Sequence, residues 1–206
     1  MRTLAIECAT EACSVALFEG ERLLAGEMLM LGRGHAERLV PIIASLPGKG
    51  KADRIAVSLG PGSFTGVRVG LAAARALALA WNADARGYPT LALVAAMARQ
   101  KTGAGPVGVA MAGGHGEWFV EGFDEAGGST RLLRSARPEQ AAALTTEDVI
   151  AGTRAAELVE LRGTGQAFEI WPDARELNIL PETALLQDLS AQYGRDPDAR
   201  LPSESQ

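Results

Sequence analysis

The first thirty residues alternate short apolar runs with single polar breaks. Thr3–Cys8 and Cys13–Phe18 are β-prone and joined by the turn-like ATEA, and Glu19-Gly20 leads back into Glu21–Met30, so a three-stranded meander is predicted. After LGRGH the period changes. Apolar residues at 39, 40, 42, 43 and 46 follow helical spacing and predict a helix over His35–Leu46, bent at Pro41, which removes a donor and crowds the preceding turn. A loop, LPGKGKAD, then separates this helix from a buried-type strand over Arg54–Leu59. A glycine-rich loop follows, then a helix from about Thr65 to Trp81, punctuation at Gly87-Tyr88-Pro89, and a helix over Thr90–Gln100 with Thr90 as N-cap.

TGAG at 102–105 is the best internal boundary and divides the chain into lobes 1–103 and 104–206. Past it, Pro106–Ala112 and Glu117–Phe123 read as a hairpin over GGHG, and Thr130–Ser135 as a further strand. Pro138–Leu144 and the TTEDVIAG stretch read as short helices, Leu158–Arg162 as a strand, and Pro181–Tyr193 as a closing helix that packs back toward the first lobe. The second half therefore repeats the order of the first, strands before helices. The fold class is α/β, a mixed sheet with helices in each of two lobes.

The chain has 206 residues, of which 47% are apolar and 22% charged, an ordinary globular composition. No apolar stretch reaches the roughly 18 residues of a membrane span, because Arg75 interrupts the longest candidate, and MRTLAIECAT is too short a run for a leader. A cytoplasmic location without membrane attachment is expected. Charge is uneven, +4 over residues 1–103 and −9 over 104–206. With no basic stripe, the chain is poorly equipped to grip nucleic acid by itself. The two cysteines, Cys8 and Cys13, read as small buried residues, and no metal set is expected.

The densest motif is SLGPGSFTGVRVG, Ser58–Gly70, between a strand and a helix. A P-loop would need lysine after its last glycine, and a dinucleotide fingerprint would need glycine where Thr65 stands. A nucleophile elbow around Ser63 would need glycines at Pro61 and Thr65, and the only histidines, His35 and His115, fall at a helix start and in a glycine-rich turn. What remains is geometry. The glycines allow close approach, Ser63 or Thr65 can cap the next helix, and a glycine-framed helix N-terminus attracts anions weakly. That helix carries only Arg68 and Arg75 as polar positions among alanines and leucines. It reads as buried on every side, within its lobe or by another subunit.

The segment SLGPGSFTGVRVGLAAARALA resembles the hallmark of the bacterial TsaB (YeaZ) family, as do LAIECATEACSVAL, GHAERLVPII and the tail AQYGRDPDA. The resemblance implies a two-lobed actin/Hsp70/sugar-kinase-like (ASKHA) fold. It also implies a non-catalytic subunit that supports a TsaD-like catalytic subunit and a TsaE-like ATPase in forming N6-threonylcarbamoyladenosine at position 37 of tRNAs reading ANN codons. On that reading the chain has no cofactor of its own, ATP or ADP enters only within the complex, tRNA is met indirectly, and a homodimer forms in isolation. First-lobe helices would make the interface, here through His35, Leu39, Ile42, Arg68, Leu71, Ala72, Arg75, Ala76 and Leu79. A vestigial nucleotide or anion loop would comprise Glu7, Thr10, Gly60, Gly62, Ser63, Thr65 and Gly66. Glu7 stands where the fold usually places a metal-holding aspartate, and MAGGHGEW from Met111 replaces the family's D-x-R. The alternatives are a glycoprotease-like peptidase using Ser63 and a small-molecule kinase of the same fold.

Overall fold

The computed structural model describes residues 1–103 and 105–194. Ala104 of the TGAG boundary and the tail from Arg195 onward, including most of the tail resemblance, lie outside the described residues. The first lobe opens with the predicted meander, β1 (Arg2–Glu7), β2 (Ala12–Glu19) and β3 (Arg22–Met30). It continues through α1 (His35–Ser45), β4 (Arg54–Ser58), α2 (Phe64–Trp81), β5 (Asp84–Tyr88) and α3 (Thr90–Thr102). The sheet order is β3-β2-β1-β4-β5. β1 pairs antiparallel with β2 and β2 with β3, while β4 runs parallel to both β1 and β5. Each parallel pairing is made across a helix, as strands entering from the same end require.

The second lobe uses β6 (Val107–Ala112), β7 (Trp118–Phe123), β8 (Ser129–Ala136), α4 (Pro138–Leu144), β9 (Val149–Ala151), α5 (Ala155–Arg162) and β10 (Gln166–Phe168). Its order, β8-β7-β6-β9-β10, with two antiparallel and two parallel pairings, repeats the first sheet strand for strand.

Side chains on the two faces of the first sheet enter different cores. Leu4, Ile6, Val15 and Leu17 meet α1 and α2. Ala5, Ala16 and Phe18 meet α3, which also packs on Val107, Val109 and Met111 of the second lobe. Because β1 and β2 are covered on both faces, they read as continuous apolar runs rather than alternating ones. α3 lies between the two sheets, with eight of its residues buried.

Several predicted elements are corrected. TTEDVIAG ends in strand β9, and Leu158–Arg162 belongs to helix α5, whose buried Ala155 and Leu158 are one turn apart and whose end is fixed by Gly163 at φ 69°. The local apolar runs there are too short to separate the two periods. β5 escaped notice because its DARGY sequence is polar at Asp84 and Arg86, yet its backbone completes the parallel edge beside β4. β10 is three residues long and also escaped. Thr90 opens α3, and the capping position is Pro89.

The closing helix is absent. Ala174–Ile179 and Glu182–Ala184 form 3-10 turns, and from there to Gly194 the chain is irregular apart from an isolated bridge between Leu186 and Gly87. Its backbone is engaged by the first lobe. Ala174 N–H donates to Ser14 Oγ at 2.8 Å, Gly87 and Leu186 exchange two backbone bonds, and Gln192 N–H donates to the Leu59 carbonyl. These long-range bonds override a helix-compatible local sequence.

Candidate functional site

The glycine-rich loop closes against the β1–β2 turn. Ser63 N–H donates to the Ala9 carbonyl at 2.6 Å, and a Cβ on Gly62 would stand 1.9 Å from that oxygen. A Cβ on Gly66 would stand 2.0 Å from the Cys8 carbonyl. Both glycines are required by backbone-on-backbone contact, which no neighbouring rotamer can relieve. Gly60 sits at φ 87°, in the region that favours glycine, and Ser63 caps α2 by accepting from Gly66 N–H at 3.2 Å. Thr65 is exposed within the first turn and is not the cap.

Glu7 is fully buried and is not one of the cleft residues. Its Oε1 accepts from Ala9 N–H at 2.8 Å and its Oε2 meets the Thr90 hydroxyl at 3.5 Å. Burial pushes its carboxyl up to about 7, against the opposing pull of hydrogen bonds from Ala9, Ser58, Tyr88 and Thr90. Glu7, assigned by the resemblance to a vestigial nucleotide or anion loop, thus braces the inside of the turn and does not face the cleft. Thr10 Oγ1 accepts from Ala12 N–H, so this side chain too serves the turn. Among the described residues no group of three or more His, Cys, Asp or Glu side chains is placed to hold a metal ion.

Between the lobes lies a cleft of about 730 Å³. Thr10, Ser63 and Arg68 line it from the first lobe, and His115, Ser135 and Thr153 from the second. The MAGGHGEW segment thus forms one wall, through Ala112–His115. The Arg68 guanidinium lies 3.3 Å from the centre of the Phe64 ring and 5.6 Å from that of Tyr193, a cation–π stack at the cleft's edge. The Ser63 hydroxyl is held by the α2 amide, and His35 Nε2 is 3.4 Å from the Ala12 carbonyl, away from Ser63's cap.

The predicted interface residues divide. His35, Leu39, Ile42 and Leu71 are buried in the first-lobe core and are corrected to core positions, since α1 and α2 turn those faces to the sheet. Arg68, Ala72, Arg75, Ala76 and Leu79 are exposed, with Arg75 also donating to the Leu189 carbonyl at 2.9 Å. α2 is accordingly not buried on every side. Gly66, Val67, Gly70, Leu71 and Ala74 are buried, Val69, Ala73, Leu77, Ala78 and Trp81 pack on the core in part, and the opposite face is open. Phe64, at 60% exposure, lies one turn before Arg68 on the same side, at the cleft end of the helix, and Val40, at 55%, is exposed on α1. Neither was singled out from sequence. Counting back four residues from Arg68 reaches Phe64, so helical spacing held the signal. By length and composition alone α2 could cross a membrane, but here it packs on β4 and β1.

Two sheets of identical strand order, packed about a shared helix with a cleft between them, define the two-lobed actin/Hsp70/sugar-kinase-like class. A crystal structure titled as an uncharacterized protein with similarity to peptidase YeaZ, from Pseudomonas aeruginosa, superposes with a TM-score of 0.72 at 30% identity, covering 85% of this chain and 88% of that one. The family model for TsaD, tRNA N6-adenosine threonylcarbamoyltransferase, matches residues 30–144, more than half of the chain, and the chain belongs to this family, in its TsaB/YeaZ branch. The tRNA threonylcarbamoyladenosine biosynthesis protein TsaB of Escherichia coli K12 is 39% identical over 134 residues, 62% of this chain and 58% of its own length. A tRNA N6-adenosine threonylcarbamoyltransferase of Anaeromyxobacter sp. Fw109-5 is 32% identical over 166 residues, 68% of this chain and 48% of its own length. The match therefore spans less than two thirds of either curated relative.

Proposed function

We propose that the chain is a non-catalytic assembly subunit in the formation of N6-threonylcarbamoyladenosine at position 37 of tRNAs reading ANN codons, docking a TsaD-like catalytic subunit through the outer faces of α1 and α2. One observation carries the reading. Ala72, Ala76 and Leu79 form an exposed small and apolar face on α2, with Arg68 and Arg75 on the same side, and an exposed face of that kind marks an interaction surface. Small side chains at 72 and 76 permit a partner helix to approach toward the short end of the usual range, about 8 Å between axes. The inward placement of Glu7 supports a chain that holds no nucleotide of its own, with ATP or ADP entering only in the complex alongside a TsaE-like ATPase. The acidic second lobe supports indirect contact with tRNA. The same face would form a homodimer when the partner is missing, and the setting would be the cytoplasm.

Co-purification with the TsaD-like subunit tests this. Ala72→Arg with Ala76→Arg places two charged stems on exposed positions, so the complex is expected to be lost while the unfolding midpoint stays within about 0.5 kcal/mol of the parent. Retention of the complex by that double variant, or no complex with the parent even with ATP and the ATPase present, overturns the proposal.

A further inference from the structure

The two cysteines face each other across the mouth of the β1–β2 hairpin. The register pairs Glu7 with Ser14, which sets Cys8 opposite Cys13 one step nearer the turn, and their sulfurs are 3.7 Å apart. Both are free and buried. The four residues between them are Ala9–Ala12, three of which, Ala9, Thr10 and Glu11, line the interlobe cleft. A small molecule in the cleft therefore lies against the segment that joins the two thiols.

We propose that Cys8 and Cys13, which lie behind the cleft wall and do not line it, are a reversible redox modification site, oxidised by a small hydroperoxide admitted from the cleft past the Ala9–Ala12 turn to an intrachain disulfide that unseats the N-terminal turns of α2. The chemistry closes without a further reactant. The Cys13 sulfur attacks one peroxide oxygen, breaking the O–O bond to give a sulfenic acid and a first water. The Cys8 sulfur then displaces the hydroxyl from that sulfenic acid, forming the S–S bond and releasing a second water. Two thiols lose two protons and two electrons, and hydrogen peroxide gains them.

The roles follow from the pair's asymmetry. The hydrogen bond between the sulfurs holds the Cys8 thiol well above its usual range and lowers that of Cys13, which makes Cys13 the first thiolate and Cys8 the resolving thiol. Bond formation draws the sulfurs from 3.7 Å to about 2.0 Å. Cys8 cannot move alone. Gly66 rests on its carbonyl, and a Cβ on Gly70 would lie 3.5 Å from its Cβ, so the hairpin and the first two turns of α2 share one contact.

The full chain treated with hydrogen peroxide, quenched, denatured and alkylated with N-ethylmaleimide reads this directly, because it has only two cysteines. The expected product has lost two hydrogens, about 2 Da, takes no alkyl group, is monomeric, and is restored by dithiothreitol. Hydrogen exchange over residues 62–70 should be faster in that product than in the reduced chain. Cys8→Ser should stop at a dimedone-reactive sulfenic acid on Cys13, and Cys13→Ser should react more slowly. Circular dichroism confirms that each variant is folded. Two fully alkylatable thiols under peroxide that oxidises glutathione, oxygen gain without hydrogen loss in the parent, or a disulfide only between chains each overturn the site. Unchanged exchange over 62–70 in the oxidised monomer overturns its coupling to α2.

Discussion

α2 and α3 are both rich in alanine and leucine, and their surroundings are opposite. α3 carries Arg99 and Lys101 in its last turn, and almost everything before them is buried, because the helix lies between two sheets of the same chain. α2 lies outside the first sheet, burying Gly66, Val67, Gly70, Leu71 and Ala74 and, in part, Val69, Ala73, Leu77, Ala78 and Trp81. Apolar sequence therefore does two jobs in neighbouring helices. In α3 it joins the lobes, and in α2 Ala72, Ala76 and Leu79 are left outside any core of the chain. An uncovered face of that kind is retained where something else covers it.

The sharpest way to break the comparison is to damage α3. Leu93 is fully buried in the interlobe core, and Leu93→Ala is expected to cost about 4 kcal/mol by urea unfolding, since the cavity opens where both lobes close around it. A cost below about 1 kcal/mol would mean that α3 does not hold the lobes together.

Slightly smaller is the effect at the seat of α2. Gly66→Ala sets a methyl against the Cys8 carbonyl, which is backbone and cannot rotate away, so α2 or the hairpin must shift. About 3 kcal/mol of destabilisation is expected, against a few tenths gained by the same change at an open helical site. Thermal unfolding of Gly66→Ala beside Gly70→Ala, whose added Cβ makes only ordinary contacts of 3.5 Å, separates this clash from a general intolerance of side chains.

Glu7 gives a pH signature to the same seat. Its carboxyl is raised from 4.5 to about 7 in the fold, so between those values the folded state holds a proton that the unfolded chain has released. The stabilisation is complete below about pH 4.5 and is lost as pH rises through about 7, by at most about 3 kcal/mol, with no further change from this group above that. Glu7→Gln should abolish that slope in urea titrations from pH 4.5 to 8. A variant that keeps the slope would assign it to another group.

How far the sequence foretold these features depended on where each signal was written. The meander, α1, α2, α3 and the β6–β7 hairpin are carried by short apolar runs or by apolar residues at helical spacing, with turn signals at their ends, and all were legible. β5 and the returning segment 170–192 were not. Their positions are set by backbone bonds to distant strands, Gly87 to Leu186 and Gln192 to Leu59, and neither sequence has a period of its own. The glycine loop was legible as backbone geometry. Its contact surface, the carbonyls of Cys8 and Ala9, lies more than fifty residues earlier in the chain and left no local mark. Glu7 was placed in the vestigial nucleotide or anion loop by the family resemblance; the hydroxyl of Thr90 and the amide of Ala9 hold it inside the fold.

The smallest expected effect is the most discriminating between the two helices. Leu79 is 87% exposed, and in the folded single chain it loses almost no contact with water. Leu79→Ser should therefore leave the urea midpoint within about 0.5 kcal/mol of the parent, whereas a leucine of α3 cannot be truncated without a measurable cost. If a partner covers that face of α2, the same substitution removes apolar area from an interface instead of a core, and association weakens about tenfold, the equivalent of about 1.4 kcal/mol. A stability loss of 2 kcal/mol or more in the isolated monomer would place Leu79 inside a core, and α2 would then resemble α3 after all.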